Sequence, residues 1–217
     1  MKRVFDIVAA SLLLLVMAVP MLVIALIIRL TSRGPAIHVT DRIGINNTHF
    51  NMYKFRTMKM GTPQVATHLL PTGIEYHTRV GKVLRPFAAD EWPQLINILK
   101  GDMSVVGPRP ALFNQYDLVE LRMKEGIDGM VPGLTGWAQI RGSTYMPISD
   151  KVSLDKYYLD HQSFLFDLKI MIMTASLVAG IVWNAFCRRL QVIVQRLAGE
   201  RSDSGCGVQR DDGVSER

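Results

Sequence analysis

The amino-acid sequence predicts a small α/β or α+β unit, mostly helical with short strands, set behind a long apolar N-terminal segment. Three observations predict it. The chain has 217 residues, enough for one domain with a real core but not for two. Ile7 to Ile28 runs for 22 residues without a charge. Behind it, brief strand-like and then helical runs are punctuated by Gly and Pro, with no internal repeat and no long low-complexity stretch.

In the apolar segment Ser11 is the only polar side chain. As a straight helix it would be about 33 Å long, enough to cross a hydrocarbon layer of about 30 Å. It is too long for the core of a signal peptide and is read as retained. Pro20 removes a backbone donor near its middle and favours a kink. Lys2 and Arg3 precede it, and Arg29 and Arg33 follow it. Cations favour the cytoplasmic side, so a straight span puts one pair on the unfavourable side. A helix kinked at Pro20 that enters and returns keeps all four on one face. On these residues alone both topologies stay open.

After Gly34-Pro35, Ala36 to Thr40 reads as a short strand and Phe50 to Phe55 as a second, with Asn46-Asn47 in the turn between. Residues 61–74 hold Gly61, Pro63, Pro71 and Gly73 and read as a loop. Trp92 to Lys100 predicts a short helix that tolerates Pro93 in its first turn and stops at a left-handed Gly101. Asn114 to Glu125 predicts an amphipathic helix. Turns at Pro132-Gly133 and Gly136 then lead to a short strand at Trp137 to Ile140, and Asp150 to His161 is helical again. Ile170 to Phe186 is a second apolar run, of 17 residues, too short and too marked by Asn184 for a comfortable span. An interfacial or surface-packed helix suits it better. From about Gly199 the residues have little to bury and read as a disordered tail.

A net charge of +6 suggests an anionic partner. There is no aromatic-basic interleaving, zinc-finger spacing or basic recognition helix, which argues against nucleic acid. Cys187 and Cys206 fit neither a disulfide framework nor a CxxC site, as in a reducing compartment. His38, His49, His68, His77 and His161 are scattered and fit surface or satisfied histidines better than zinc ligands.

Asp90 and Glu91 stand where a helix should begin. The ordinary use of such residues is to cap the helix. The same position also suits phosphate, and Arg79, Lys82, Arg85 and Arg109 surround it in sequence. A carboxylate can attack phosphorus and hold the group covalently. Its neighbour could help bind Mg²⁺, which takes oxygen ligands and substrate phosphates. In Gly107-Pro108-Arg109-Pro110 two prolines fix the backbone on both sides of one arginine, whose planar fork suits a diphosphate. Lys54 and Arg56 alternate with Phe55 and Thr57 as a strand with one basic face, ordinarily a solvated one.

Together these motifs closely resemble the bacterial sugar transferases, the small monotopic phosphoglycosyl transferases. The likeness runs from about Lys2 to Ala179. It is dense at Lys54-Phe55-Arg56-Thr57-Met58, Asp90-Glu91-x-Pro93-Gln94-Leu95-x-Asn97, Gly101 to Pro110 and Pro132 to Gln139. The resemblance implies transfer of a sugar 1-phosphate from a UDP-sugar to polyprenyl (undecaprenyl) phosphate with release of UMP. That step starts lipid-linked glycan assembly for surface polysaccharide (lipopolysaccharide, capsule or exopolysaccharide) or glycoprotein. It implies Asp90 as the nucleophile, Glu91 with Asp90 as ligands of a Mg²⁺ cofactor, and Arg85 steadying phosphate. Pro108, Arg109 and Pro110 would receive the nucleotide, with Lys54 and Arg56 also binding substrate.

It further implies an α+β monotopic membrane protein at the bacterial inner membrane, with the active site on the cytoplasmic face. Residues 1–33 would form a membrane-embedded re-entrant helix and 34–190 the transferase domain with interfacial amphipathic C-terminal helices. Residues 191–217 would be a tail, largely disordered. Membrane lipid is an implied partner, glycosyltransferases of the same assembly line are further ones, and nucleic acid is not. The small form of the family favours an N-acetylated amino sugar. Three positions depart from the pattern. Ala89 replaces the usual Leu before the dyad, Thr40 to Gly44 lacks the Gln of Gln-x-Arg-x-Gly, and Ile74 to Thr78 keeps only the Thr of Asp-x-Arg-Ile-Thr. These departures leave an alternative, a catalytically silent membrane-anchored scaffold of a glycan assembly complex.

Overall fold

Asn46 and Asn47 both take left-handed backbone angles (φ 51° and 58°), which short polar side chains tolerate, and so turn the chain where the sequence marks it. The computed structural model describes residues 1–63, 65, 71, 74–142 and 146–203. In it β1 (Ile37–Ile43) pairs antiparallel with β2 (His49–Phe55), Ile37 opposite Phe55 and Ile43 opposite His49. Later in the chain, β4 (Ala111–Leu112) joins the other edge of β1. A separate parallel pair joins β3 (Ser104–Val106) to β5 (Gly133–Thr135). Helix accounts for 59% of this mixed fold.

Three short helices fall close to their expected places, α3 (Gln94–Lys100), α4 (Tyr116–Lys124) and α6 (Ile148–Asp160), while α2 (Arg79–Leu84) is a helix that the sequence pattern does not mark. Gly101 ends α3 at φ 99°, as its missing side chain allows. The expected strand at Trp137–Ile140 is instead a helix, α5 (Trp137–Arg141), and the strand lies just before it. The reason is a close backbone approach. A Cβ built on Gly133 would sit 2.1 Å from the Gly107 nitrogen, so only glycine lets β5 run beside the chain after β3. The Gly136 carbonyl then accepts from the Gln139 and Ile140 amides and starts α5. Of the loop expected over 61–74, positions 64, 66–70, 72 and 73 lie outside the described residues.

The apolar N-terminus forms α1 (Lys2–Thr31), helical throughout with Pro20 inside it. Both of its ends dock on the same domain. At the start, Asp6 is buried and accepts from the Ser104 hydroxyl (2.8 Å) and the Val105 amide (3.1 Å). Arg3 donates to the Ile98 carbonyl, which also accepts from the Gly101 amide, and to the Leu99 carbonyl at the end of α3. Lys2 pairs with Asp167. At the far end Ile28 is buried and Ser32 meets Arg56. Between them, Leu12, Leu15, Val16, Val19 and Leu22 stay exposed.

The main core gathers Ala10, Met52, Leu95, Ile98, Met103, Val106, Tyr158 and Ile170. A second cluster joins Ile28 of α1 to Phe55, Leu84 and Ala89. These lie within one compact unit, Met1–Leu177. The last helix, α7 (Phe164–Asp203), begins in that unit and runs well past the 170–186 expected for it and into the segment 191–217 read as tail. Positions 204–217 lie outside the described residues. The second unit, from Val178, shows Trp183 and Phe186 exposed, with their rings 6.2 Å apart. Two helices, Lys2–Thr31 and Phe164–Cys187, are long and apolar enough to cross a membrane.

Candidate active site

Asp90 and Glu91 do not cap α3. They lie in a 3₁₀ turn, Ala89–Glu91, ahead of it, and α3 starts after Pro93 with no side-chain cap. The turn is entered through Ala88 at φ 51°, a left-handed conformation that costs a non-glycine residue about 1 kcal/mol. Such strain is concentrated where the fold fixes a geometry for a purpose. Ala89, the small residue before the dyad, packs into the cluster that holds Ile28 of α1.

The two carboxylates have opposite surroundings. One oxygen of Glu91, Oε1, accepts from Lys54 Nζ at 2.9 Å and from Arg109 Nη2 at 2.6 Å. Burial works against its charge, but the Arg109 and Lys54 cations override it and hold the carboxyl far below the usual carboxylate range. Asp90 makes no ion pair among the described residues. Burial pushes its carboxyl up from its ordinary value, against the pull of Lys54, with Glu91 adding to the rise and Arg85 opposing it.

The cations are crowded. Burial lowers Lys54 to about 8, with Arg109 adding to the fall and Glu91 resisting it. Arg42, at the end of β1, falls to about 10, first through burial and then through Arg109. Arg109 itself is raised by its neighbour Glu91. Arg42, Lys54, Arg85 and Arg109 thus act on two carboxylates, and the excess positive charge suits the phosphates of a ligand.

The turn carrying Arg109 is held at every carbonyl. Pro108 O accepts from the Gly133 amide (2.8 Å), Arg109 O from Arg122 Nη1 (2.9 Å) and Pro110 O from Arg42 Nη1 (3.3 Å). Pro108 and Pro110 are buried. Preorganisation of this kind spares a ligand the work of ordering the loop.

The structure therefore brings Asp90, Glu91, Lys54, Arg85 and Arg109 together. Arg56 goes elsewhere: it is buried, and its Nη2 donates to the Ser32 carbonyl (3.1 Å) and hydroxyl (2.8 Å) at the end of α1. Arg42 and Arg122 were missed in the sequence. Arg42 stood in the altered Gln-x-Arg-x-Gly pattern, a signal that its position offered. Arg122 looks like any surface cation of an amphipathic helix.

Among the described residues no group of three or more His, Cys, Asp or Glu could hold a metal. The dyad fits Mg²⁺ as an ion shared with substrate phosphates, which commonly needs only one or two carboxylates. Among the described residues, Glu91 Oε2 and the Asp90 carboxylate have no ion-pair partner.

A sequence model of the bacterial sugar transferase family matches residues 1–180. The chain is 38% identical over 199 residues to the uncharacterized sugar transferase EpsL of Bacillus subtilis, covering 92% of this chain and 96% of that protein. It is 40% identical to the UDP-glucose:undecaprenyl-phosphate glucose-1-phosphate transferase of Caulobacter vibrioides, covering 80% of this chain and 67% of the relative. It is 37% identical to the UDP-N-acetylgalactosamine-undecaprenyl-phosphate N-acetylgalactosaminephosphotransferase of Aeromonas hydrophila, covering 80% of this chain and 42% of that protein, under half its length.

Proposed function

This chain belongs to the bacterial sugar transferase family, and on that premise we propose that it is a phosphoglycosyl transferase that moves a sugar 1-phosphate from a UDP-sugar to undecaprenyl phosphate. UMP is released, and the sugar phosphate passes through a covalent intermediate on Asp90. The observation that carries this reading is the division of labour in the dyad: Glu91 gathers two cations on one oxygen, while Asp90 has no ion pair among the described residues and lies beside an excess of positive charge.

In the first step an Asp90 oxygen bonds to the sugar-bearing phosphorus. The bond from that phosphorus to the bridging oxygen breaks, and the oxygen leaves with UMP. In the second step a phosphate oxygen of the lipid attacks the same phosphorus, the acyl phosphate breaks and Asp90 is restored. Lys54, Arg42, Arg85 and Arg109 offset the charge on the phosphoryl oxygens, and the fixed 108–110 turn receives the nucleotide. Glu91 and Asp90 would hold Mg²⁺, which when bound supplies Lewis-acid stabilisation of phosphate charge.

The acceptor is a lipid, and the apolar cluster from Ile28 to Ala89 sets the dyad beside a helix with an exposed apolar flank. Both ends of α1 dock on one domain, which supports a monotopic arrangement in which α1 enters and leaves the same face of a bacterial inner membrane. Cations at both ends favour the cytoplasmic face, and α7 lies at the interface. An N-acetylated amino sugar is the first donor to try. N-acetylgalactosamine is one such sugar and a relative is named for it; glucose follows because another relative is named for it. The product would feed lipid-linked glycan assembly.

The test is UMP release by the detergent-purified chain with a panel of UDP-sugars, undecaprenyl phosphate and Mg²⁺. Release that needs lipid and metal, with a phospho-sugar adduct mapped to Asp90 when lipid is withheld, is the expected result. Full turnover by a folded Asp90→Asn chain would sink the covalent route.

A further inference from the structure

The segment that departs most from the family pattern, 74–78, forms one edge of the site. His77 bridges Met58, the Lys59 amide donates to Tyr76 O (2.8 Å), and the Thr78 amide donates to Thr57 O (2.9 Å). These bonds pin 76–78 to the chain leaving β2. Thr78 Oγ1 then accepts from the Gly81 amide (2.9 Å) to start α2, and Arg85 ends it. Across this short helix, Arg85 Nη1 comes within 3.4 Å of His77 Nδ1. A guanidinium has donors only, so the contact requires a ring nitrogen that accepts, and therefore a neutral ring at Nδ1. Arg85 in turn acts on Asp90.

We propose that His77 is a positioning residue for Arg85, its neutral imidazole accepting from the guanidinium and keeping that charge within reach of Asp90, so that protonation of His77 releases Arg85 and slows phosphoryl transfer. The inference rests on the reading of Asp90 as nucleophile and Arg85 as its phosphate-steadying partner.

The surroundings of His77 favour that neutral state. Burial lowers its affinity for a proton below the ordinary histidine value, Arg85 lowers it further and Lys82 adds a little. Glu75 and the Thr57 carbonyl oppose them. Glu75, however, pairs with Lys82 at 2.7 Å. The ring is therefore neutral at pH 7, and an acid shift puts a proton on Nδ1 facing a cation.

The test uses the full chain in detergent with three readouts. First, the His77 imidazole is titrated by NMR in the parent and in Arg85→Ala; its pKa should rise when Arg85 is removed. Second, kcat/KM for UMP release is followed from pH 5 to 8 in the parent, His77→Leu and His77→Asn. His77→Leu should lose about ten-fold at pH 7.5, the scale of one hydrogen bond to a charged group. His77→Asn keeps an acceptor near the Nδ1 position and cannot titrate there. It should recover most of that loss and shed part of the acid limb, leaving the part that belongs to Asp90. Third, in the Arg85→Ala background His77→Leu should cost nothing more. Unchanged kcat/KM in folded His77→Leu, or an equal loss with and without Arg85, would overturn the proposal. If the parent releases no UMP, the reading of Asp90 fails instead, and the NMR titration still decides the contact.

Discussion

Arg122 donates to the backbone carbonyl of Arg109 at 2.9 Å while its Nη2 reaches Asp155 at 2.6 Å. A buried ion pair between α4 and α6 thus holds, from behind, the turn on which Arg109 faces Glu91. Arg122→Met would strand Asp155 in the interior, at a cost of about 3–5 kcal/mol. The double change Arg122→Met with Asp155→Leu should regain most of that stability without restoring the tether. Urea unfolding and UMP release would separate the two effects: stability recovered, turnover still several-fold down. Full turnover in the double variant would deny the turn its dependence on Arg122.

Lys54 carries the pH signature of the free enzyme. Its pKa near 8 lies below the usual lysine value, so it is mostly charged at pH 7 and loses its charge as pH rises through about 8. If that charge helps bind the donor, kcat/KM for UMP release falls above pH 8. Lys54→Arg retains its charge and should move the limb upward by a unit or more. An alkaline limb unchanged in Lys54→Arg would assign it to another group.

Asp6 is the polar hinge-pin of α1. Asp6→Leu leaves the Ser104 hydroxyl and the Val105 amide buried without their acceptor, at about 1–3 kcal/mol each. The expected result is a lower unfolding temperature in detergent and earlier proteolysis near α3. A parent-like melting curve would mean that the helix start is held by Arg3 and Lys2 alone.

Gly133→Ala places a methyl group 2.1 Å from the Gly107 nitrogen and 2.5 Å from the Thr135 carbonyl oxygen. Backbone cannot yield as a side-chain tip does, so the strand pair must part and the arginine turn must move. UMP release should fall by more than ten-fold at a temperature where circular dichroism still reports folded protein, since a small misplacement of a binding group is costly. Retained activity would show the turn to be independent of β5.

Local chemistry made much of this legible in the sequence. Asn46-Asn47, Gly101 and the Asp90-Glu91 pair announced themselves because each depends on its own backbone or its own charge. Trp137 to Ile140 reads as a strand but folds as a helix, because the strand beside it is decided by glycines meeting across 26 residues, from Gly107 to Gly133, and no periodicity records that. Arg56 and Lys54 looked equivalent by alternation. The end of α1 at Ser32 claims the first and Glu91 the second, a choice that only the tertiary fold makes. Arg122 and Asp155 read as polar residues on two separate helices until packing buries them face to face.

The docking of α1 has a practical side. Arg3 binds the last carbonyls of α3, Asp6 satisfies Ser104 and Val105, and Ala10 and Ile28 fill two apolar clusters. The segment is therefore not a detachable tether. A truncated chain beginning at Gly34 would shed an anchor and also uncap a helix, orphan buried donors and open the cluster beneath the dyad. Solubility gained that way comes from a damaged enzyme, and intact protein calls for a lipid or detergent that covers the outward side of α1 and leaves its inward side where it is.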